Sequence, residues 1–182
     1  MFTNNYMALQ RNMFAGEHPT MKNMLGENFA LYSTFNFDGS DNIGNLMANA
    51  NCRAMTDTVS SSSGGVSTGV WFGSGSTPAT KGDYKLESPI TSGLSITTQT
   101  KLIGKESEGK YCAWVSYVVK NTSDNDINIW ELGVFAEAKR DSTKFHSVLL
   151  DRVVLPEPIV LAVGEEKIIT YKITFNQILN VE

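Results

Sequence analysis

The chain has 182 residues, enough for one hydrophobic core with an appendage and too few for several ordinary domains. Hydrophobic residues make up 41% and charged residues 19%, which together with abundant Ser, Thr, Asn and Gly suits a turn-rich β protein and excludes a disordered chain or a charged helical bundle. A net charge of -4 argues against broad nucleic-acid binding, which needs gathered Lys and Arg; no apolar run approaches the ~20 residues of a membrane span, and the start MFTNN lacks the charged and apolar regions of a signal peptide.

The expectation is therefore a soluble chain made in a cytoplasm, with protein or glycan partners, no nucleic acid and no membrane. From the N-terminus, Tyr6, Met7, Leu9, Met13 and Phe14 form a loose helical stripe, predicting a short helix over 5–14 that ends at Gly16. All seven methionines fall between Met1 and Met55. Because methionine fills irregular apolar gaps, residues 1–63 read as an arm. It either docks on another subunit through Phe2, Tyr6, Met7, Leu9, Met13 and Phe14, or folds as a strap onto its own domain. The run DTVSSSSGG at 57–65 is a link or a long hairpin loop, and it sets the boundary before a domain of residues 64–182.

Strand signals follow. Val66–Phe72 is rich in Val, Trp and Phe and stops at Gly73-Ser74-Gly75. Residues 73–89 form a long loop that superficially resembles a phosphate loop, but Lys81 is followed by Gly82 and Asp83 instead of Ser or Thr and a helix. Leu94, Ile96 and Leu102 alternate with polar neighbours at period two. Tyr111–Lys120 and Ile127–Phe135 are apolar on both faces, predicting central strands that neighbour one another across the turn at 121–126. Ser147–Leu155 ends at Pro156 and Pro158, which deny ladder donors and predict an extended exit. Ile169, Tyr171, Ile173 and Phe175 oppose Thr170, Lys172 and Thr174 in the last strand. About six such strands without a long helix predict an all-β fold, an antiparallel β-sandwich of jelly-roll-like kind with an N-terminal arm or short helix.

Chemistry is sparse in this pattern. Glu131 and Arg152 are charges inside apolar runs, and a buried carboxylate is costly unless paired, so the two form a candidate buried ion pair. The competing reading is a glycosidase carboxylate pair, with Asp151 or Glu87 as the second member. His18 and His146 sit in polar contexts without a nucleophile turn. Neither they nor Cys52 and Cys112 show zinc-like spacing, and both cysteines read as reduced thiols. No catalytic residue, metal ligand or cofactor is expected. Of the aromatics Trp71, Trp114, Trp130, Tyr84, Tyr111 and Tyr117, most are expected in the core; Trp71 and Tyr84 are the candidate sugar-stacking platform. Asn121-Thr122-Ser123 matches a glycosylation acceptor pattern and reads as a turn.

Three segments, FTNNYMALQRNMF at 2–14, GVWFGSGSTPATKGDYKLESPI at 69–90, and WELGVFAEA with SVLLDRVVLPEPIVLAVGEEKIITYKITFN at 130–176, together resemble small structural proteins of tailed bacteriophages. The family pattern has a TNN-type start, a GTG-x-TPP loop with a following LE-x-PI step, an E-x-GLF strand and a closing YTI-type strand. This chain departs at Ser74, Ala79 and Val134, and the segment 16–63 matches little. The resemblance implies a virion component of the fibre, collar, tail or capsid-accessory kind, expected to form a homo-oligomer and to contact other virion proteins. A carbohydrate-binding module that reads a host glycan at the tip of a fibre is the alternative, and a cell-wall hydrolase is a third reading.

Overall fold

The computed structural model describes residues 1–15, 18–31, 50–51, 58–60, 69–107, 110–139 and 144–176. Cys52 falls outside these residues, and of the segment 57–65, expected to be a link, only Thr58–Ser60 are described, where they form a strand paired with Lys144–His146. Among the described residues one helix, α1 (Asn4–Ala15), precedes ten strands: β1 (Thr20–Lys22), β2 (Asn28–Ala30), β3 (Ala50–Asn51), β4 (Thr58–Ser60), β5 (Gly69–Gly73), β6 (Leu94–Ser107), β7 (Lys110–Asn121), β8 (Ile127–Lys139), β9 (Lys144–Leu161) and β10 (Glu166–Asn176). They build a two-stranded sheet β1-β2, a three-stranded sheet β10-β7-β6 and a five-stranded sheet β3-β5-β8-β9-β4. All described pairings are antiparallel except that of β3 with β5. The chain is thus all-β with antiparallel sheets and one short helix.

Period-two alternation explains the core. Val115, Tyr117 and Val119 of β7 and Ile169, Tyr171 and Ile173 of β10 turn one face of the three-stranded sheet inward. They meet Val70 and Phe72 of β5 and Ile129, Leu132 and Val134 of β8 in a single apolar cluster. Burial of this kind is worth roughly 25 cal/mol per Å² of apolar surface. The five-stranded sheet is also covered on its other face, where Ala136, Ala138, Val148 and Leu150 lie under Tyr6, Ala8 and Leu9 of α1 and under Met21 and Phe29 of the β1-β2 hairpin. That second cover, continued over Glu131, Gly133 and Phe135 by the segment 74–90 through Leu86, is why Glu131–Ala136 is buried at every position and why its sequence shows no alternation.

Two expectations are corrected. Although consecutive and both apolar, β7 and β8 are not neighbours: they belong to different sheets. The cause is the buried side chain of Asn121, whose Nδ2 donates to Asn125 O at 2.8 Å and Leu161 O at 2.9 Å while its Oδ1 accepts from Ser123 N and Oγ at 2.9 and 2.8 Å. This wraps the turn about one amide and sends the chain across to the other sheet. The second correction concerns the prolines. Rather than leaving the sheet, β9 continues through Pro156 and Pro158 to Leu161. The register with β8 jumps between Ile129↔Ile159 and Glu131↔Val154, so the prolines sit in a bulge where no ladder donor is required.

Candidate functional site

The strongest concentration of polar interactions lies where β8 and β9 meet the loop 74–90. Arg152 and Glu131 lie on the adjacent strands β9 and β8, and their side chains meet: Arg152 Nε donates to Glu131 Oε2 at 2.7 Å. The guanidinium then spans the loop, with Nη1 donating to Asp83 Oδ2 at 2.8 Å and Nη2 to Thr77 O at 3.1 Å, and with Nη2 3.5 Å from Glu87 Oε2. Glu131 is 0% exposed, yet its carboxylate is well supplied. Besides Arg152 it accepts from the backbone N–H groups of Gly75 at 3.3 Å, Glu87 at 3.2 Å and Ser88 at 2.8 Å. A carboxylate with this many donors is buried without an orphaned lone pair.

The loop's own carboxylates complete the clamp. Glu87 accepts from Thr77 N at 2.8 Å and Thr77 Oγ1 at 2.7 Å, and Asp83 from Thr80 N at 2.9 Å and Thr80 Oγ1 at 2.7 Å. The Thr77 hydrogen bonds, with Arg152 adding charge, hold the Glu87 carboxyl below its ordinary range. Burial opposes the charge on Asp83, but hydrogen bonds from Thr80 and Arg152 outweigh it and lower that carboxyl too. The glycines are explained by close approach. A Cβ on Gly73 would lie 2.5 Å from Glu131 Oε1, and one on Gly75 would lie 2.5 Å from Glu87 Cβ. Leu86, 1% exposed, is the loop's apolar anchor and packs with Trp71, Phe135 and Leu149.

The N-terminal segment is tied down beside the clamp. Thr3 N donates to Leu150 O at 3.0 Å and Arg152 N to Met1 O at 3.1 Å, so residues 1–3 run along β9. Thr3 also caps α1, its Oγ1 accepting from Tyr6 N at 3.4 Å while donating to Leu149 O at 2.6 Å. Asn5 mimics a strand, donating from Nδ2 to Lys22 O at 2.7 Å and accepting at Oδ1 from Lys22 N at 2.8 Å. Asp151, the carboxylate offered as a second catalytic acid, is buried and accepts from Tyr171 Oη; its Oδ1 lies 3.0 Å from the Met1 ammonium.

Several site expectations are overturned by burial. Of the residues expected to dock on another subunit, Tyr6 (7% exposed) and Leu9 (4%) are already buried on their own sheet, and Phe2 is half-buried with its ring stacked 4.1 Å from that of Tyr6. Met7, at 52%, is exposed. Met13 and Phe14 belong to α1 by backbone, and their side chains lie outside the described residues. Helix α1 lies as a strap on its own domain, with Tyr6, Ala8 and Leu9 packed on the outer face of β8 and β9. Trp71 offers no sugar platform: it is fully buried beneath Leu86. Tyr84 is half-buried, with the ammonium groups of Lys22 and Lys85 at 5.3 and 5.9 Å from its ring centroid.

The other candidates are also accounted for. His18 Nδ1 lies 2.9 Å from Leu31 O, and His146 is buried with Nδ1 3.3 Å from Asn23 Nδ2. Cys112 is buried. Asn121, the glycosylation-pattern residue, is 0% exposed with both amide hydrogens donated. Among the described residues no three His, Cys, Asp or Glu side chains are grouped as a metal site would require. Sequence reasoning passed over Thr3, Asn5 and Asn23, and named Asn121 and Asp83 only as turn and loop residues, although Thr or Asn before an apolar run and Asn or Asp in a turn are the usual signals of side-chain caps. Comparison with protein-family models, curated proteins and solved structures found no match.

Proposed function

We propose that this protein is a structural subunit of a tailed bacteriophage particle, a jelly-roll-like β-sandwich of the fibre, collar, tail or capsid-accessory kind that acts by assembly and not by turnover. One observation carries the reading: the charged groups that most resemble catalytic machinery are spent on holding loop 74–90 and the N-terminal strap rigid. Glu131, the first candidate acid, accepts from Arg152 and three backbone amides and faces no open cleft. Rigid loops held on paired sheets suit a part that is repeated about a symmetry axis. The segments of the phage resemblance coincide with this clamp: the TNN start supplies Thr3 and Asn5, the GSGSTP loop supplies Gly75 and Thr77, the WELGVF strand supplies Glu131, and the LLDRVV strand supplies Arg152. A common role in fixing one structure accounts for scattered short matches better than a common ligand does.

The test is mass spectrometry of purified particles from the phage or prophage that encodes the chain. The chain is expected at a fixed copy number per particle, made in the host cytoplasm and retained in the virion. Its absence from intact particles would remove the proposal. The glycan-binding alternative loses Trp71 to the core and keeps only Tyr84, so it is not adopted; saturable binding of the isolated chain to host-wall glycans would reinstate it.

A further inference from the structure

We infer that Lys22, Lys81 and Lys85 form a binding site for a phosphate group, seated in the cavity where α1, the β1-β2 hairpin and loop 74–90 meet. The local sequence Lys81-Gly82-Asp83-Tyr84-Lys85-Leu86-Glu87 alternates bases with acids, which would cancel one another if all four charges met on one surface. They do not. Asp83 is engaged by Thr80 and Arg152, and Glu87 by Thr77, with Arg152 3.5 Å away. Glu27 of the hairpin turn accepts from Asn23 Nδ2 at 3.1 Å. Among the described residues no carboxylate lies within ion-pair distance of any of the three lysine ammoniums. In a chain of net charge -4 these cations reverse the sign locally.

Main-chain contacts and Tyr84 bring the lysines together. Asn4 N donates to Lys81 O at 2.8 Å, and the Asn5 side chain holds both main-chain groups of Lys22. The Tyr84 ring lies against the hairpin turn, where a Cβ on Gly26 would be 3.3 Å from Cζ, and it draws the ammoniums of Lys22 and Lys85 over the ring. Lys22 and Lys81 then line a cavity of about 220 Å³ with Asn4, Thr20, Asn28 and Asp83; Lys22 and Asn28 are partners across the hairpin. That volume is below the roughly 300 Å³ of a drug-sized pocket and suits a single oxyanion. Lysine binds phosphate as a point charge, whereas planar carboxylates are matched best by an arginine fork. Three ammoniums without a paired carboxylate favour a phosphate ester, which carries about -1.5 to -2 charge at pH 7, over a singly charged acid. The site differs from a phosphate loop, since side chains from separate segments and not loop amides supply the charge.

This site goes beyond the particle reading and does not rest on it. Calorimetric titration of the full chain at constant ionic strength with inorganic phosphate, and separately with glycerol 3-phosphate, is expected to saturate, and titration with acetate is not. Tighter binding of the ester assigns a substituted phosphate to the site, and equal binding assigns the free ion. Lys22→Gln and Lys81→Gln should each weaken binding by about fivefold or more. Lys85→Gln should weaken it less, because Lys85 lines the adjoining cavity, and Lys120→Gln, at an exposed position of β7, should leave it unchanged. The contacts that place Lys22 and Lys81 are made by their main chains, so these variants should keep the unfolding midpoint of the unaltered protein. Failure to saturate, an equal response to acetate, or binding indifferent to both Lys22→Gln and Lys81→Gln overturns the inference. Particle composition is measured independently, so the two readings fail separately.

Discussion

At Gly73, Gly75 and Gly133 neighbouring side chains occupy the room a Cβ would need. A Cβ at Gly133 would lie 2.8 Å from Leu86 Cδ2 and 2.9 Å from Leu149 Cδ1, both on buried side chains with nowhere to swing. Gly133→Ala should therefore cost about 1–3 kcal/mol of stability in urea unfolding, as overpacking of a core does. Glu131→Ala should cost more, about 3–5 kcal/mol, because it removes the acceptor of Arg152 Nε and of three backbone amides together. Hydrogen exchange separates the two: the amides of Gly75, Glu87 and Ser88 should lose protection in the Glu131 variant. Unchanged protection there would mean that the loop does not depend on the carboxylate. The ion pair itself was legible in the sequence, since a charge in an apolar strand needs a partner. Asp83 and Thr77, which complete it, were not, because nothing in a polar loop marks which of its residues turn back on the sheet.

Among the elements, α1 shows how an apolar stripe is read correctly and assigned to the wrong surface. The predicted helix is present with its ends moved by one residue, but Tyr6 and Leu9 fill the outer face of β8 and β9. Leu9→Ala should destabilise the protein by about 2–5 kcal/mol, while Met7→Ala, on the exposed side, should change stability by no more than about 0.5 kcal/mol. Equal effects of the two in thermal unfolding would contradict the packing. Thr3→Ala should cost about 1 kcal/mol through the lost cap. Removing residues 1–15 should expose Ala136, Ala138, Val148 and Leu150 and make the remaining chain prone to aggregation, a result visible in light scattering. Strand existence was legible wherever residues alternate, as in β10. It was misread at β9, where the prolines are tolerated by a register shift that only the partner strand defines.

For the whole molecule, the titrating groups set a pH window. Asp83 and Glu87 have lowered folded values, so their contribution is complete above the ordinary carboxylate range of about 4 and is lost as pH falls through their lower folded values. Burial raises Tyr117 and Tyr171, with Asp151 adding to the shift of Tyr171. The unfolded chain then releases those protons first, so stability should fall as pH rises above about 10. Urea midpoints measured across pH should show a plateau between these limits. An acid limb equally steep in Asp83→Asn and in the unaltered protein would exclude Asp83 from the clamp's titration.

The sequence alone did not mark the short strands β1 to β4; it determined that the chain is all-β with one short helix, where the strands β5 to β10 lie, and that Glu131 and Arg152 need partners. These follow from local periodicity and from the desolvation cost of a charge, which each residue carries with it. Only the tertiary structure decided that β7 and β8 lie in different sheets, that the helix is a strap on its own domain, that Trp71 is core, and that loop 74–90 is clamped by Arg152. Those depend on which surfaces meet, and a pattern of apolar residues states that a face must be covered without stating by what.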